Sequence, residues 1–232
     1  EHDEAIVLHE VGHFVMDMLS SNSSTGGSHP EGFLIDPGLA WEEGRASFFG
    51  TAVLGVPRYD DTIGREGRGR LRVAADFERG AEGGVTGAGS EETVAEILWD
   101  LADGVIPNAP PGTTTLEDRD NDGVALGPAR VLNAMMEMRD EPNAFPELVS
   151  FLRFLNRRGD VSIEELRTLL LSRGEIDLLR EVERGASFPI DLTLPARVTG
   201  KIDSVSSPAP SGGPNQPETG FDAVRVYRVI LD

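Results

Sequence analysis

Apolar residues recur every three or four positions at the start of the chain, between Asp3 and Ser20. This spacing predicts a helix, because a strand would alternate apolar and polar side chains. Polar residues 20–24 and then Gly26 and Gly27 end the predicted helix. Gly12 has low helix propensity, so we expect another segment to pack closely against the backbone there. The apolar positions are Ile6, Val7, Val11, Phe14, Val15, Met18 and Leu19.

Helical spacing returns after Ser90, a predicted N-cap, and dominates as far as Arg184. Two of the later helices have Pro near the start, where its missing N–H costs nothing. We expect these helices to pack around the first one. The predicted helices are Glu91–Asp103, Pro128–Met138, Pro146–Asn156, Val161–Ser172 and Glu175–Arg184.

The pattern changes from Phe188 onward. Leu192–Val205 and Phe221–Leu231 alternate as strands do, and the intervening Ser206–Gly220 is rich in Pro, Gly and Ser. The predicted fold class is therefore mainly α, a helical bundle around the first helix with a small C-terminal β appendage. The corresponding domains are residues 1–187 and 188–232.

Composition limits the classes of function. The chain has 232 residues, of which 39% are hydrophobic, enough for the core of one main domain. A net charge of −19 argues against nucleic-acid or anionic-membrane partners, and no apolar run reaches membrane-spanning length. The absence of Cys excludes disulfides and thiolate metal sites. The acidic balance suits a secreted or cell-surface bacterial protein.

The first predicted helix carries His9, Glu10 and His13, which form the HExxH signature of zinc peptidases. Imidazoles four residues apart on a helix face the same way and can bind one Zn²⁺ ion, leaving positions for a third ligand and a water. Glu10 would be the general base for that water. Asp17, one turn beyond His13, is either a hydrogen-bond acceptor that orients the His13 ring or a solvated helix residue.

The third ligand decides the class of peptidase. The metzincin pattern requires Gly and His where this chain has Met16 and Leu19, so that class is excluded. The segment Trp41-Glu42-Glu43-Gly44-Arg45-Ala46 resembles the (N/E)-E-G-x-A segment of gluzincin, or thermolysin-like and aminopeptidase-like, metallopeptidases, in which a Trp also lies shortly before the Glu. The resemblance implies that Glu43 is the third zinc ligand. Glu42 is the alternative ligand, or a neighbour that contacts substrate or orients a ligand.

The segment Gly83-Gly84-Val85-Thr86 resembles the GGVH segment in which thermolysin-like peptidases carry an oxyanion-stabilising His. That position is Thr86 here. All four His of the chain lie at or before residue 29, so no His is present at the matching position or after it. Tyr59 and nearby Arg side chains are candidate substitute donors, and the alternative for Tyr59 is an interior or loop residue without a catalytic role. The resemblance also implies a β-sheet before the zinc helix, so we expect upstream residues or domains beyond this chain.

A second candidate metal site lies in the segment 118–123. Asp118, Asp120 and Asp122 followed by Gly123 match the first half of a calcium-binding loop. Position 12 of such a loop should supply a bidentate Glu, and it is Ala129 here. A weak Ca²⁺ site and an Asx-rich turn without metal are both compatible with this sequence.

Two functions remain in competition at the level of sequence. One is a zinc metallopeptidase that hydrolyses peptide bonds of a peptide or protein substrate. The other is a non-catalytic surface module that keeps a metal for stability. The presence of Glu10 favours the peptidase, because a structural site needs no base. The missing oxyanion His favours the alternative.

Overall fold

The structure is a computed structural model, and it describes residues 4–22, 24, 26–29, 32–63, 71–80, 85–104, 116, 123–141, 145–184, 190–193 and 227–230. Helices dominate this part of the chain, in agreement with the predicted fold class. None of the helices described is both long and apolar enough to cross a membrane.

Seven helices and two pairs of strands make up the described residues. The helices are α1 (Glu4–Leu19), α2 (Pro37–Leu54), α3 (Glu91–Ala102), α4 (Pro128–Met138), α5 (Leu148–Arg158), α6 (Ile163–Ser172) and α7 (Ile176–Arg184). The strands are β1 (Arg58–Ile63), β2 (Leu71–Asp76), β3 (Ile190–Thr193) and β4 (Tyr227–Ile230). The five helices predicted after residue 90 are confirmed, with ends displaced by at most two residues.

Side-chain caps fix where several helices begin. Ser90 accepts a hydrogen bond from the Thr93 N–H at the start of α3, as its predicted N-cap role requires. Asp36 caps α2 by accepting from the N–H groups of Gly38 and Leu39. The helix that carries Glu43 therefore begins at a defined residue, and this fixes the position of Glu43 along α2.

The core is built around α3 rather than around the first helix. Every residue of α3 from Thr93 to Ala102 is buried, and α2, α4 and α6 pack against this helix. By contrast, α1 packs mainly on α2 and β1. The expectation that the other helices surround the HExxH helix is therefore wrong for the described residues.

The buried face of α1 is also not its most apolar face. The residues that pack inward are Ala5, His9, Gly12 and Met16, which recur at helical spacing. Most of the apolar positions that predicted the helix are exposed, including Val7, Val11, Phe14 and Met18. Apolar periodicity thus gave the correct type of element, but small residues and His form the face that contacts α2.

Two short sheets accompany the helices. β1 and β2 form an antiparallel hairpin with Arg58 opposite Asp76, an element that the sequence pattern did not predict. β3 and β4 pair in parallel and lie within or next to the predicted C-terminal strand segments. The proposed boundary at residue 187 and the segment Ser206–Gly220 lie outside the described residues.

Glycines allow α1 and α2 to approach closely in antiparallel directions. A Cβ atom on Gly12 would lie 3.1 Å from the backbone of Ala46, and one on Gly50 would lie 2.9 Å from the Ala5 carbonyl oxygen. Both distances are too short for relaxed packing of a side chain. The close packing expected at Gly12 is confirmed, and it brings the backbone of the HExxH helix against α2.

Gly12→Ala is expected to lower the free energy of unfolding by about 1–3 kcal/mol through overpacking. The higher helix propensity of Ala should offset about 1 kcal/mol of that loss. Urea denaturation of the chelator-treated protein measures the change. Val11→Ala on the same helix is the matched control, because Val11 is exposed and should change stability by less than about 0.5 kcal/mol. A Gly12→Ala variant clearly more stable than the parent would contradict the described contact between α1 and α2.

Candidate metal centre

Helices α1 and α2 bring three side chains of metal-ligand type together. His9 and His13 lie one turn apart on α1, and Glu43 faces them from α2. The Nε2 atoms of His9 and His13 lie 3.2 and 3.1 Å from the same carboxylate oxygen, Oε2 of Glu43. The two Nε2 atoms are 3.0 Å apart. These three residues form a compact group that could hold a metal ion, and we refer to them as the ligand group.

The spacing of the three donor atoms matches a small tetrahedral ion. Ligand bonds of about 2 Å to such an ion place neighbouring donor atoms roughly 3.3 Å apart. The three separations here, 3.0, 3.1 and 3.2 Å, come close to that value. Two imidazole nitrogens and a carboxylate oxygen are also a donor set that suits Zn²⁺. The residues therefore fit the ion that the sequence predicted.

A hydrogen bond orients the first imidazole. Nδ1 of His9 lies 3.0 Å from Oγ of Ser47, one turn after Glu43 on α2, and this contact directs Nε2 toward the group. Metal-binding His residues commonly hydrogen-bond through their other ring nitrogen, which fixes tautomer and ring plane. Ser47 was not recognised from the sequence, although its position four residues after Glu43 places both on one face of α2.

The ionisation of the group favours metal binding. Burial acts to raise the pKa of Glu43, but hydrogen bonds with His13 and His9 outweigh it and lower that pKa to about 2. The hydrogen bond to Glu43 raises the pKa of His13, against the opposing effect of burial. Glu43 thus stays ionised, as a ligand must, whereas protons compete with the metal for the imidazoles.

Glu42 points to a different partner. Its carboxylate pairs with the guanidinium of Arg45, and both side chains are almost fully buried. Arg45 also donates to Oγ of Ser20 at the end of α1, at 2.5 Å. Burial raises the pKa of Glu42, although Arg45 opposes that shift. Of the two adjacent carboxylates, Glu43 lies with the two imidazoles, and Glu42 pairs with Arg45, which contacts the end of α1.

The other residues proposed from the sequence, Glu10, Asp17 and Tyr59, differ in exposure and in their contacts with the ligand group. Glu10 is exposed, yet its charge lies close enough to contribute to the raised pKa of His13. Asp17 accepts a hydrogen bond from Asn22 at 3.0 Å and makes none with His13, so a role in orienting that ring has no contact to support it. Tyr59 is buried, with its ring centre 6.0 Å from that of His9. Burial raises the pKa of the Tyr59 hydroxyl far above its usual value.

A third imidazole lies beside the group. His29, in the connection between α1 and α2, has Nε2 3.6 Å from Oε1 of Glu43. Its Nδ1 lies 3.2 Å from Oε2 of Glu91, the first residue of α3. Sequence reasoning missed both residues, because they are 62 positions apart and no local pattern relates them.

A cavity of about 50 Å³ adjoins these residues. Its walls come from α2, the β1–β2 hairpin and the start of α3, and they include Ser47, the hydrogen-bond partner of His9. The residues that line it are Gly32, Phe33, Ser47, Tyr59, Ala75, Phe77, Ser90, Glu91 and Glu92.

Asp118, Asp120 and Asp122, the candidate calcium ligands, lie outside the described residues, so the calcium loop stays a prediction. Gly83 and Gly84 of the GGVT segment also lie outside them, whereas Thr86 is described and exposed.

Comparison of the chain with models of protein families, with curated proteins and with solved structures found no match. The chemistry of the site is therefore inferred from its own residues.

Proposed function

We propose that the protein is a zinc-dependent metallopeptidase of gluzincin type, acting on a peptide or protein substrate. The observation that carries this proposal is the separation of 3.0 to 3.2 Å among one donor atom each of His9, His13 and Glu43. A carboxylate next to the first His, Glu10, stays exposed beside the group. A metal centre of three protein ligands with a nearby base is the arrangement that hydrolytic zinc enzymes use.

His9, His13 and Glu43 would hold the ion, and Ser47 would keep the His9 ring in its binding orientation. When bound, Zn²⁺ would supply a Lewis acid that polarises the scissile carbonyl and acidifies a water. Glu10 accepts one proton from the attacking water as the water oxygen bonds to the carbonyl carbon. It then delivers that proton to the amine nitrogen as the C–N bond breaks. The products are a carboxylic acid and an amine, so atoms and protons balance.

A metal-stabilised module without activity is the competing proposal. The candidate ligands come from two helices, and this supports the alternative. An ion bound by residues of α1 and α2 would link the two helices and stabilise the fold. In that case Glu10 would have no chemical role. The exposed carboxylate next to a ligand therefore favours the peptidase.

Purified protein should contain about one zinc ion per chain, because three ligands of two helices form a complete protein set. Elemental analysis of the untagged chain measures this, and a mixed-peptide library followed by mass spectrometry tests for cleavage. We expect cleavage that a chelator abolishes and added zinc restores. A chain that binds no transition metal after zinc is supplied would refute the proposal.

A further inference from the structure

His29 is placed beside the ligand group without belonging to it. Its Nε2 faces Oε1 of Glu43 at 3.6 Å, whereas the compact three-residue group consists of His9, His13 and Glu43. The His29 side chain is 40% exposed, so one side of its ring is open to solvent. A side chain in this position can contact a molecule bound at the metal centre without displacing a ligand.

Glu91 fixes the orientation of the His29 ring. Oε2 of Glu91 lies 3.2 Å from Nδ1 of His29, within hydrogen-bond distance. This contact turns the opposite edge of the ring, with Nε2, toward Glu43. A proton lies along the contact between Nδ1 of His29 and the Glu91 carboxylate, whichever group carries it, and Nε2 is the ring atom that can donate from a second proton toward the metal centre. Glu91 in turn sits at the first position of α3, whose Ser90 cap and buried body hold it in place.

Hydrolysis of a peptide bond is accelerated by such a donor. As water adds to the carbonyl carbon, the two π electrons of the C=O bond move to oxygen, and a hydrogen-bond donor near that oxygen stabilises the developing charge. Tyr59 was the substitute predicted from the sequence, but it is buried at 9% exposure. His29 offers the same type of contact from a more open position.

We propose that His29, oriented by Glu91, is a catalytic residue that donates a hydrogen bond from Nε2 to the substrate carbonyl oxygen during attack. This inference rests on the proposed peptidase function. In this proposal His29, in the connection between α1 and α2, is the hydrogen-bond donor to the substrate, and Glu91 is the residue that positions it.

The test compares four variants of the full chain: His29→Ala, Glu91→Gln, Tyr59→Phe and Ser28→Ala. Ser28 is the matched control, because it is the exposed neighbour of His29 in the same connection. Each zinc-loaded protein is measured for zinc affinity, for kcat and KM on a peptide found in the library screen, and for affinity toward a phosphonate analogue of that peptide. The analogue carries a tetrahedral anion where the substrate carries its carbonyl.

His29→Ala is expected to lower kcat by about 10²–10³-fold with little change in KM, the loss typical of removing one such donor. Affinity for the phosphonate should fall by a similar factor, because the analogue presents the charge that His29 stabilises. Zinc affinity should stay within about threefold of the parent, since His29 is not a ligand. Glu91→Gln should lower kcat and phosphonate affinity about tenfold. Tyr59→Phe and Ser28→Ala should change these values less than about threefold.

Three results would overturn the inference. If His29→Ala keeps the parent kcat and phosphonate affinity, His29 does not contact the reacting oxygen. If it loses zinc affinity in proportion to activity, its role is to hold Glu43. If Tyr59→Phe rather than His29→Ala loses kcat, the donor is Tyr59. A parent that binds zinc but cleaves no peptide and binds no phosphonate would instead refute the proposed function and this inference with it.

Discussion

Glu43→Gln is expected to lower zinc affinity by more than about 100-fold, because it removes the anionic ligand from a three-residue set. The amide keeps the size of the side chain, so packing between α1 and α2 should be preserved. Glu43 Oε2 is the atom that both imidazole Nε2 atoms approach, at 3.2 and 3.1 Å. Competition with a chromophoric chelator measures the affinity of each variant for zinc.

Glu42→Gln is the matched control, and it should keep zinc affinity within about threefold, since Glu42 lies outside the ligand group. Gln is preferable to Ala at this position, because its amide oxygen can still accept a hydrogen bond from the buried Arg45 guanidinium, whereas Ala has no acceptor. If Glu42→Gln loses zinc and Glu43→Gln keeps it, the assignment of the third ligand is wrong.

Glu10→Gln is expected to keep zinc bound and to lower hydrolysis by about 10²–10⁴-fold, the usual contribution of a general base. The variant retains side-chain length and hydrogen-bonding capacity, but its amide cannot accept a proton from water. Because Glu10 is exposed and not part of the ligand group, zinc affinity should change little. Steady-state cleavage of a peptide from the library screen, at saturating zinc, gives the ratio of rates.

Glu4→Gln controls for the loss of one negative charge from α1, because Glu4 is also exposed and lies at the start of the same helix. This control should cleave at nearly the parent rate. Equal rates for Glu10→Gln and the parent would show that the proton is accepted elsewhere, and the proposed role of Glu10 would be wrong.

Much of the site follows from local sequence patterns. The i, i+4 spacing of His9 and His13 fixes their common face once α1 is helical, and the spacing holds whatever else the helix contacts. Only the resemblance distinguished Glu43 from the neighbouring Glu42 in the sequence, and in the structure Glu43 lies with the two imidazoles whereas Glu42 is paired with Arg45. Helix starts were predictable where a side chain caps them, as at Ser90.

Other features depend on contacts between distant segments. Apolar periodicity indicated α1 but not which face is buried, since Gly12 and Gly50 allow an approach that larger residues would block. The hairpin of β1 and β2 has polar residues at several positions, so alternation did not reveal it. His29 and Glu91 come together only through the tertiary fold, and this is why the sequence indicated no partner for the substrate oxygen.

Stoichiometric reactivation by zinc is the most direct test of a metallopeptidase. The chain is stripped of metal with a chelator, freed of the chelator, and titrated with zinc while binding and peptide cleavage are recorded on the same samples. We expect cleavage to rise with bound zinc and to saturate at about one ion per chain. Saturation of binding at one zinc per chain with cleavage still at the uncatalysed rate would contradict the account and leave the metal as a structural element.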